Sequence, residues 1–214
     1  IVSTLSILFT FKYFNFFNQA VLDIMNIFSL EFEPLTLSFL LPVGISFYTF
    51  QSIGYVIDVY NKDIKSERHF GIYALYVSFF PQLVAGPIER AKNLLPQFRK
   101  RFNFNYNLFI SGIKIIIFGF FMKVVIADRL AIITELVFTN PFEFTGFQLL
   151  LGTYFFTFQI FCDFAGYSLI AIGCAKIMGF NLMQNFRRPY FSKSISEFWR
   201  RWHISLSSWF KYYL

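Results

Sequence analysis

Residues 144–180 read FTGFQLLLGTYFFTFQIFCDFAGYSLIAIGCAKIMGF, a run of 37 positions in which only Asp163 and Lys176 carry charge. As a helix this run would be about 55 Å long at ~1.5 Å per residue, against a bilayer hydrocarbon core of about 30 Å. One straight spanning helix does not account for that length. The basic residues Lys176, Arg187 and Arg188 mark a return to the cytoplasmic side. The sequence therefore predicts a span over Phe144 to Cys162, followed by a second piece that re-enters the membrane.

The same test applied outward finds two more stretches free of Asp, Glu, Lys and Arg, Leu35 to Ile57 and Phe70 to Ile88. Two weaker candidates are Ile1 to Leu22, interrupted by Lys12, and Tyr106 to Ala127, interrupted by Lys114 and Lys123. Such lysines either snorkel to the interface or face protein. Acidic Asp23, Glu31 and Glu33 precede the Leu35 segment, whereas Lys62, Lys65 and Arg68 follow it, which puts the second loop in the cytoplasm. Phe70 to Ile88 then ends in Arg90, Lys92, Arg99, Lys100 and Arg101, so both of its ends read as cytoplasmic. Pro81 and Gly86-Pro87 interrupt it. This pattern reads as a re-entrant segment, because broken backbone at membrane depth is tolerated only inside protein or beside a wet cavity; a Pro-kinked span is the alternative. The Tyr106 segment leads outward to Glu135 and Glu143, from which the Phe144 segment returns.

The composition agrees. The 214 residues are 56% hydrophobic, 23% aromatic and 14% charged, with 34 Phe, and a soluble domain carries about 25% charged residues. Mean hydropathy is +0.53. The net charge of +7 sits in short basic clusters beside apolar runs, a cytoplasmic-loop pattern, so no nucleic-acid partner is expected. Cys162 and Cys174 have no metal or redox spacing and read as packing residues, with no metal site expected. No repeat or linker divides the chain, which is read as one all-α, polytopic integral membrane domain over residues 1–214, with the lipid bilayer as its principal partner. Neither end resembles a natural terminus: Ile1 opens inside an apolar run and Leu214 follows an aromatic and basic segment.

Asp163 reads as lying at membrane depth, where ionisable side chains are costly. Gln159, Asp163 and Tyr167 share a helix face at i, i+4 and i+8. That stripe either lines a substrate cavity or pairs with a basic residue to lock helices together. In the last 25 residues, Ser194 and Glu197 fit a capping box for a helix starting near Ile195. An apolar stripe of Ile195, Phe198, Trp199, Trp202, Leu206, Trp209, Phe210 and Tyr213 follows, with Ser196, Arg200, His203, Ser207 and Lys211 on an adjoining polar stripe. His203 lies at the boundary, where an imidazole is partly desolvated yet reaches a polar cavity. Acylating a hydroxyl needs a base to take its proton and donors for the developing oxyanion, roles that His203, and Arg200 or Ser207, are able to fill. The alternative is an interfacial helix with Trp at headgroup level. His69, the other histidine, sits at the edge of a charged loop and reads as a surface residue. Soluble hydrolase, P-loop and dinucleotide patterns are absent from the sequence.

Four stretches together resemble the membrane-bound O-acyltransferase family, in its bacterial alginate O-acetylation branch: Leu41 to Gln51 (LPVGISFYTFQ), Ala85 to Arg90 (AGPIER), Asp163 to Ser168 (DFAGYS) and Glu197 to Ser207 (EFWRRWHISLS). The resemblance runs from about Leu35 to the end. It implies a multi-pass protein of the bacterial plasma (inner) membrane with re-entrant helices. An acyl donor such as acetyl-CoA on the cytoplasmic side, a co-substrate and not a permanently bound cofactor, would meet an acceptor hydroxyl on the other side, with extracytoplasmic acyl-transfer proteins as partners. It also implies that His203, in a Trp-His-x-Ser motif, is an active-site residue; from their helical spacing, Asp163, Tyr167, Gln159, Arg200 and Ser207 read as substrate-binding or supporting residues. The family carries a second histidine beyond the position of Leu214, so the active site would be incomplete here. Lys211-Tyr212-Tyr213 departs from the branch's Arg-Asp-Tyr-like run. Alginate, another exopolysaccharide, a peptidoglycan sugar or teichoic acid all fit as acceptor, and related branches use D-alanyl groups. The competing classes are a membrane transporter, which would show two similar halves that this sequence lacks, and a non-catalytic scaffold of an export complex.

Overall fold

The computed structural model describes residues 1–28, 42, 44–83 and 86–214, and every regular element among them is helical. The chain opens on a continuous helix built from α1 (Val2–Leu8), a π-helical stretch (Phe9–Tyr13) and α2 (Phe14–Ile27). Lys12, which interrupts the apolar run, lies in the π-helical stretch and donates to the Ser46 hydroxyl at 3.1 Å. This exposed lysine thus has a partner within the protein.

Of the predicted Leu35 to Ile57 span, residues 35–41 and 43 lie outside the described residues, and the remainder forms α3 (Ile45–Tyr60). Gly44 starts this helix with φ of 77°, and a Cβ there would sit 2.7 Å from the Leu83 carbonyl oxygen. Both the left-handed backbone and the close approach demand glycine.

The Phe70 segment does not form a spanning helix. It forms α4 (Phe70–Ser78) and α5 (Phe80–Leu83), separated by Phe79 in an extended conformation, with Pro81 in the first turn of α5, where its missing N–H costs nothing. Even unbroken, a helix from Phe70 to Leu83 would extend only about 21 Å, short of the ~30 Å core. The break frees backbone acceptors, and side chains take them up: the Tyr76 carbonyl accepts from Gln82 Nε2 at 3.0 Å and from Gln51 Nε2 at 3.4 Å. The non-helical stretch Gly86 to Glu89 is buried, and the Glu89 carbonyl accepts from the Tyr76 hydroxyl at 3.1 Å. This is irregular backbone enclosed by protein, the condition on which a re-entrant segment depends. The chain then enters α6 (Ala91–Phe98), where both Arg99 contacts to the Glu67 carboxylate, at 2.7 and 2.8 Å, tie the loop before α4 to the end of α6. The loop before α4 and the end of α6 are thereby held side by side.

The Tyr106 segment is longer than the sequence predicts. It continues through α7 (Tyr106–Phe120), a π-helical stretch (Phe121–Ala127) and α8 (Asp128–Thr139) as one 34-residue helix. Ala127 is not its end, because the charge at Asp128 is neutralised by Lys123 one turn earlier at 2.6 Å. The predicted division of residues 144–180 is also corrected: α9 (Gly146–Ile177) is a single unbroken helix of 32 residues. Thr145 and Gln148 close a reciprocal capping box at its start. Its length of about 48 Å is matched by the equally long α7–α8 helix, against which it runs antiparallel. Gly112 meets Gly173, Gly119 meets Gly166, and Gly152 meets Val137, with ideal Cβ positions 2.6–2.9 Å from atoms of the opposite helix. Small residues that let two backbones touch are a membrane-type solution to helix association. These two helices are also the ones long and apolar enough to cross a membrane among the described residues.

The terminal helix of the sequence reading is two helices, α10 (Ile195–Arg201) and α11 (Ile204–Tyr213), broken at Trp202 and His203. Ser194 caps α10 as predicted, accepting from Glu197 N at 3.1 Å, but the Glu197 carboxylate accepts from Lys193 N at 2.7 Å, not from the cap residue. The α11 helix docks on α3: Trp209 Nε1 donates to the Phe50 carbonyl at 3.0 Å, and the Tyr213 hydroxyl donates to Asp58 Oδ1 at 2.7 Å.

Candidate functional site

The break at His203 is built by the segment preceding α10. Residues 185–187 run beside residues 201–204, with Arg187 N donating to the Arg201 carbonyl and Ile204 N to the Asn185 carbonyl, both at 2.9 Å. Trp202, extended between the helices, is wedged against Phe186 (5.0 Å between ring centroids, 83°) and stacked on Phe198 (5.5 Å, 19°). His203 takes the left-handed conformation, φ 42° and ψ 55°. That backbone costs a non-glycine residue about 1–2 kcal/mol, and the packing of both flanking helices enforces it. The continuous polar stripe expected of one helix is thereby interrupted. The His203 ring projects onto α9, edge to face with Phe164 at 4.6 Å and 85°.

Burial beside Phe164 pushes the His203 pKa down to about 4. The imidazole is consequently neutral at pH 7, the state in which a ring nitrogen can accept a proton. Between about pH 4 and the ordinary value near 6.5, the unfolded chain takes up a proton that the folded one does not. This group's contribution to stability therefore declines as pH falls through that window. Carbon-13 labelling of histidine, with the His203 resonance assigned by its loss in His203→Gln, should show an imidazole that stays neutral at pH 6 and titrates near 4; a midpoint near 6.5 would contradict the burial argument.

The other sequence-selected residues separate into two groups. On α9, the Thr134 hydroxyl of α8 donates to Gln159 Oε1, Asp163 Oδ1 lies 2.6 Å from Lys123 Nζ, and the same ammonium stands 5.2 Å from the Tyr167 ring centroid. Lys123 also pairs with Asp128. These contacts latch α9 to the α7–α8 helix, although Tyr167 is exposed and the Asp163 side chain is 44% exposed. Among the described residues, no hydrogen bond or ion pair joins the Gln159–Asp163–Tyr167 stripe to His203. Arg200 folds back on α10, donating to the Ser196 carbonyl and hydroxyl at 3.3 and 3.1 Å. Ser207 remains beside the break: its backbone N–H donates to the His203 carbonyl at 3.0 Å and its hydroxyl reaches the Trp202 carbonyl at 3.4 Å. His69 caps α4 through Nδ1, which accepts from Ile72 N at 3.3 Å.

Two buried residues escaped the sequence reading as individuals. Glu89 is 2% exposed; one carboxylate oxygen accepts from Met183 N, and burial raises its pKa. The adjacent Arg90 lies 3.5 Å over the Tyr212 ring and donates to the Ser208 carbonyl at 3.3 Å, so this motif positions α11. Asn185, 1% exposed, holds the start of α11 through both its carbonyl and its Oδ1, the latter 3.4 Å from Ser205 N. Glu89 lies in a stretch already selected, whereas Asn185 sits in no distinctive spacing.

A separate cleft of about 570 Å³ opens between residues 64–68 and α6, presenting Lys65, Arg68 and Lys92. Among the described residues that line it, the one carboxylate is Glu67, which Arg99 engages and holds at a low pKa.

Residues 68–214 match MBOAT, the membrane-bound O-acyltransferase family. This chain belongs to that family. It is 47% identical over 210 residues to a probable alginate O-acetylase AlgI of Pseudomonas putida, covering 98% of this chain and 43% of that protein. A peptidoglycan O-acetyltransferase of Helicobacter pylori is 36% identical over 240 residues, covering 100% of this chain and 45% of that protein. A teichoic acid D-alanyltransferase of Bacillus subtilis is 33% identical over 177 residues, 80% of this chain and 44% of that protein. The chain thus spans less than half the length of these membrane-bound O-acyltransferase relatives. Its motifs read as a family resemblance, including the Trp-His-x-Ser segment at the α10–α11 break, fall within the matched residues or the aligned relatives.

Proposed function

We propose that the protein is a multi-pass acyltransferase of the bacterial inner membrane that moves an acyl group, acetyl in the first instance, onto hydroxyls of an exported polysaccharide or cell-envelope polymer. The observation that carries this reading is His203: a neutral, half-buried imidazole fixed at a helix break within a chain whose relatives are named for acetyl and D-alanyl transfer to envelope polymers. In the transfer, the acceptor hydroxyl oxygen attacks the donor carbonyl carbon while a base takes its proton, and the thiolate leaves as the carbonyl re-forms. His203 serves there as an auxiliary base or hydrogen-bond partner that orients the hydroxyl, not as nucleophile. Ser207, one turn further on, supports the break.

The donor side is assigned to the face that bears Lys65, Arg68 and Lys92. Three cations around a cleft whose carboxylate Glu67 is already paired suit a phosphate-bearing donor such as acetyl-CoA, used as co-substrate. The same face reads as cytoplasmic from the positive-inside rule. Extracytoplasmic transfer proteins would then relay or receive the acyl group on the opposite side.

The test is complementation. The full-length protein, expressed in an alginate-producing bacterium deleted for its own O-acetylase, should restore polymer acetylation, and Lys65→Gln/Arg68→Gln/Lys92→Gln should lower it while membrane abundance holds. Correct membrane insertion without any acetylated polymer would remove the acetylation reading, and unaltered transfer by the triple variant would remove the donor-side assignment.

A further inference from the structure

A cavity of about 440 Å³ lies between the α7–π segment, α9 and residues 184–188. Much of its lining is apolar, formed by Met122, Phe161, Ala165, Leu169 and Ile172, with the half-exposed Phe118 at its flank. His203 does not line it; the Phe186 ring, which does, lies 5.1 Å from Phe164, the ring that meets His203.

Two polar groups in this wall have no hydrogen-bond partner among the described residues. Ser168 Oγ and Asn185 Nδ2 are both buried, their residues 2% and 1% exposed. Leaving such groups unsatisfied costs about 1–3 kcal/mol each. Asn185 cannot relieve this by turning over, because its Oδ1 is engaged at Ser205 N, so the amide N–H is fixed. Both groups are able to donate, which suits a carbonyl acceptor. At the rim stands Arg188, exposed and in a left-handed backbone, with Arg187 beside it. The cavity therefore combines an exposed cation, two deeply buried hydrogen-bond donors and a hydrocarbon wall.

We propose that this cavity is a phospholipid site: the phosphate at Arg188, a glycerol ester carbonyl at Ser168 and Asn185, and one acyl chain against Met122, Phe161 and Leu169. A sugar would leave most of its hydroxyls facing hydrocarbon, each without a partner. A phospholipid meets all three zones, and it reaches the cavity along the flank of two helices that are long and apolar enough to span a bilayer. The site also bears on the break at His203, since Asn185 touches the lipid carbonyl with one end of its amide and the first turn of α11 with the other.

The test uses the full-length protein in vesicles of phosphatidylethanolamine and phosphatidylglycerol, with a trace of phosphatidylglycerol carrying a diazirine in its acyl chain. Peptide mapping after irradiation should place adducts on Met122, Phe161 and Leu169 in excess of those on Val124 and Val125, which are exposed on the same helix. Arg188→Gln should reduce the cavity adducts several-fold, and Ala165→Phe, which fills the space, should reduce them at least tenfold. Excess acetyl-CoA should displace nothing. Equal labelling of cavity and outer positions, or labelling unchanged in Arg188→Gln, would identify ordinary surrounding lipid and overturn the proposal; displacement by acetyl-CoA would assign the cavity to a soluble phosphate ester and overturn it equally.

Discussion

Replacing His203 in the full-length protein is expected to lower polymer acylation by about 10²- to 10⁴-fold, the usual loss when acid–base assistance is removed. The choice of replacement matters because His203 is in the left-handed region. Alanine there disfavours the backbone as well as deleting the ring, so a loss of activity in His203→Ala mixes two causes. Glycine adopts the conformation without strain, and asparagine tolerates it with a polar side chain. His203→Gly should insert and accumulate at wild-type levels while losing transfer, and His203→Asn should recover part of the rate if hydrogen bonding to the acceptor is a large share of the role. Wild-type transfer by purified His203→Gly would show that the ring merely fills the space beside Phe164. In that event the break between α10 and α11 is an architectural feature, and the acid–base chemistry rests on other residues of the full-length protein.

The parts of this site that were legible in the sequence are those whose signals are local. Pro81 and Gly86-Pro87 signal a broken segment between Phe70 and Ile88, and the structure has two short helices and enclosed irregular backbone there. The Ser194 cap is likewise local. The break at His203 is not: apolar residues keep helical spacing straight through Trp202, and the interruption comes from Asn185, Phe186 and Arg187 lying alongside. Periodicity reports which face is apolar, not whether the backbone between two apolar residues stays helical. The partner of Asp163 was illegible for a related reason. Lys123 is forty positions away, and only the antiparallel pairing of two long helices brings the charges within 2.6 Å. That pairing also explains why residues 146–177 form one helix and not two elements. A single apolar run longer than the bilayer looks like two elements until a second helix of equal length is known to accompany it, after which tilt or projection beyond the core absorbs the excess.

The second large effect is expected at that pairing. Gly119 and Gly166 place backbone against backbone, with an ideal Cβ at Gly166 only 2.8 Å from the Gly119 carbonyl oxygen and 3.0 Å from Lys123 N. These are main-chain atoms of a helix, which have no rotamer to escape into, so Gly166→Val must drive the helices apart. The separation would act on the adjoining Lys123–Asp163 contact as well, since Lys123 is itself one of the residues displaced. Overpacking of this kind costs about 3 kcal/mol at the upper end of its usual range, and here it adds to the loss of an ion pair that compensates a carboxylate within an apolar helix. Gly166→Val in the full-length protein should therefore show a large fall in folded, detergent-extractable protein and a clearly lowered thermal midpoint. Gly146→Ala, whose Cβ would meet nothing within 4 Å, should leave both unchanged and controls for glycine loss in general. If Gly166→Val matched Gly146→Ala in yield and midpoint, the α7–α9 contact would be looser than the glycine pairing requires, and the latch at Asp163 would have to hold these helices without it.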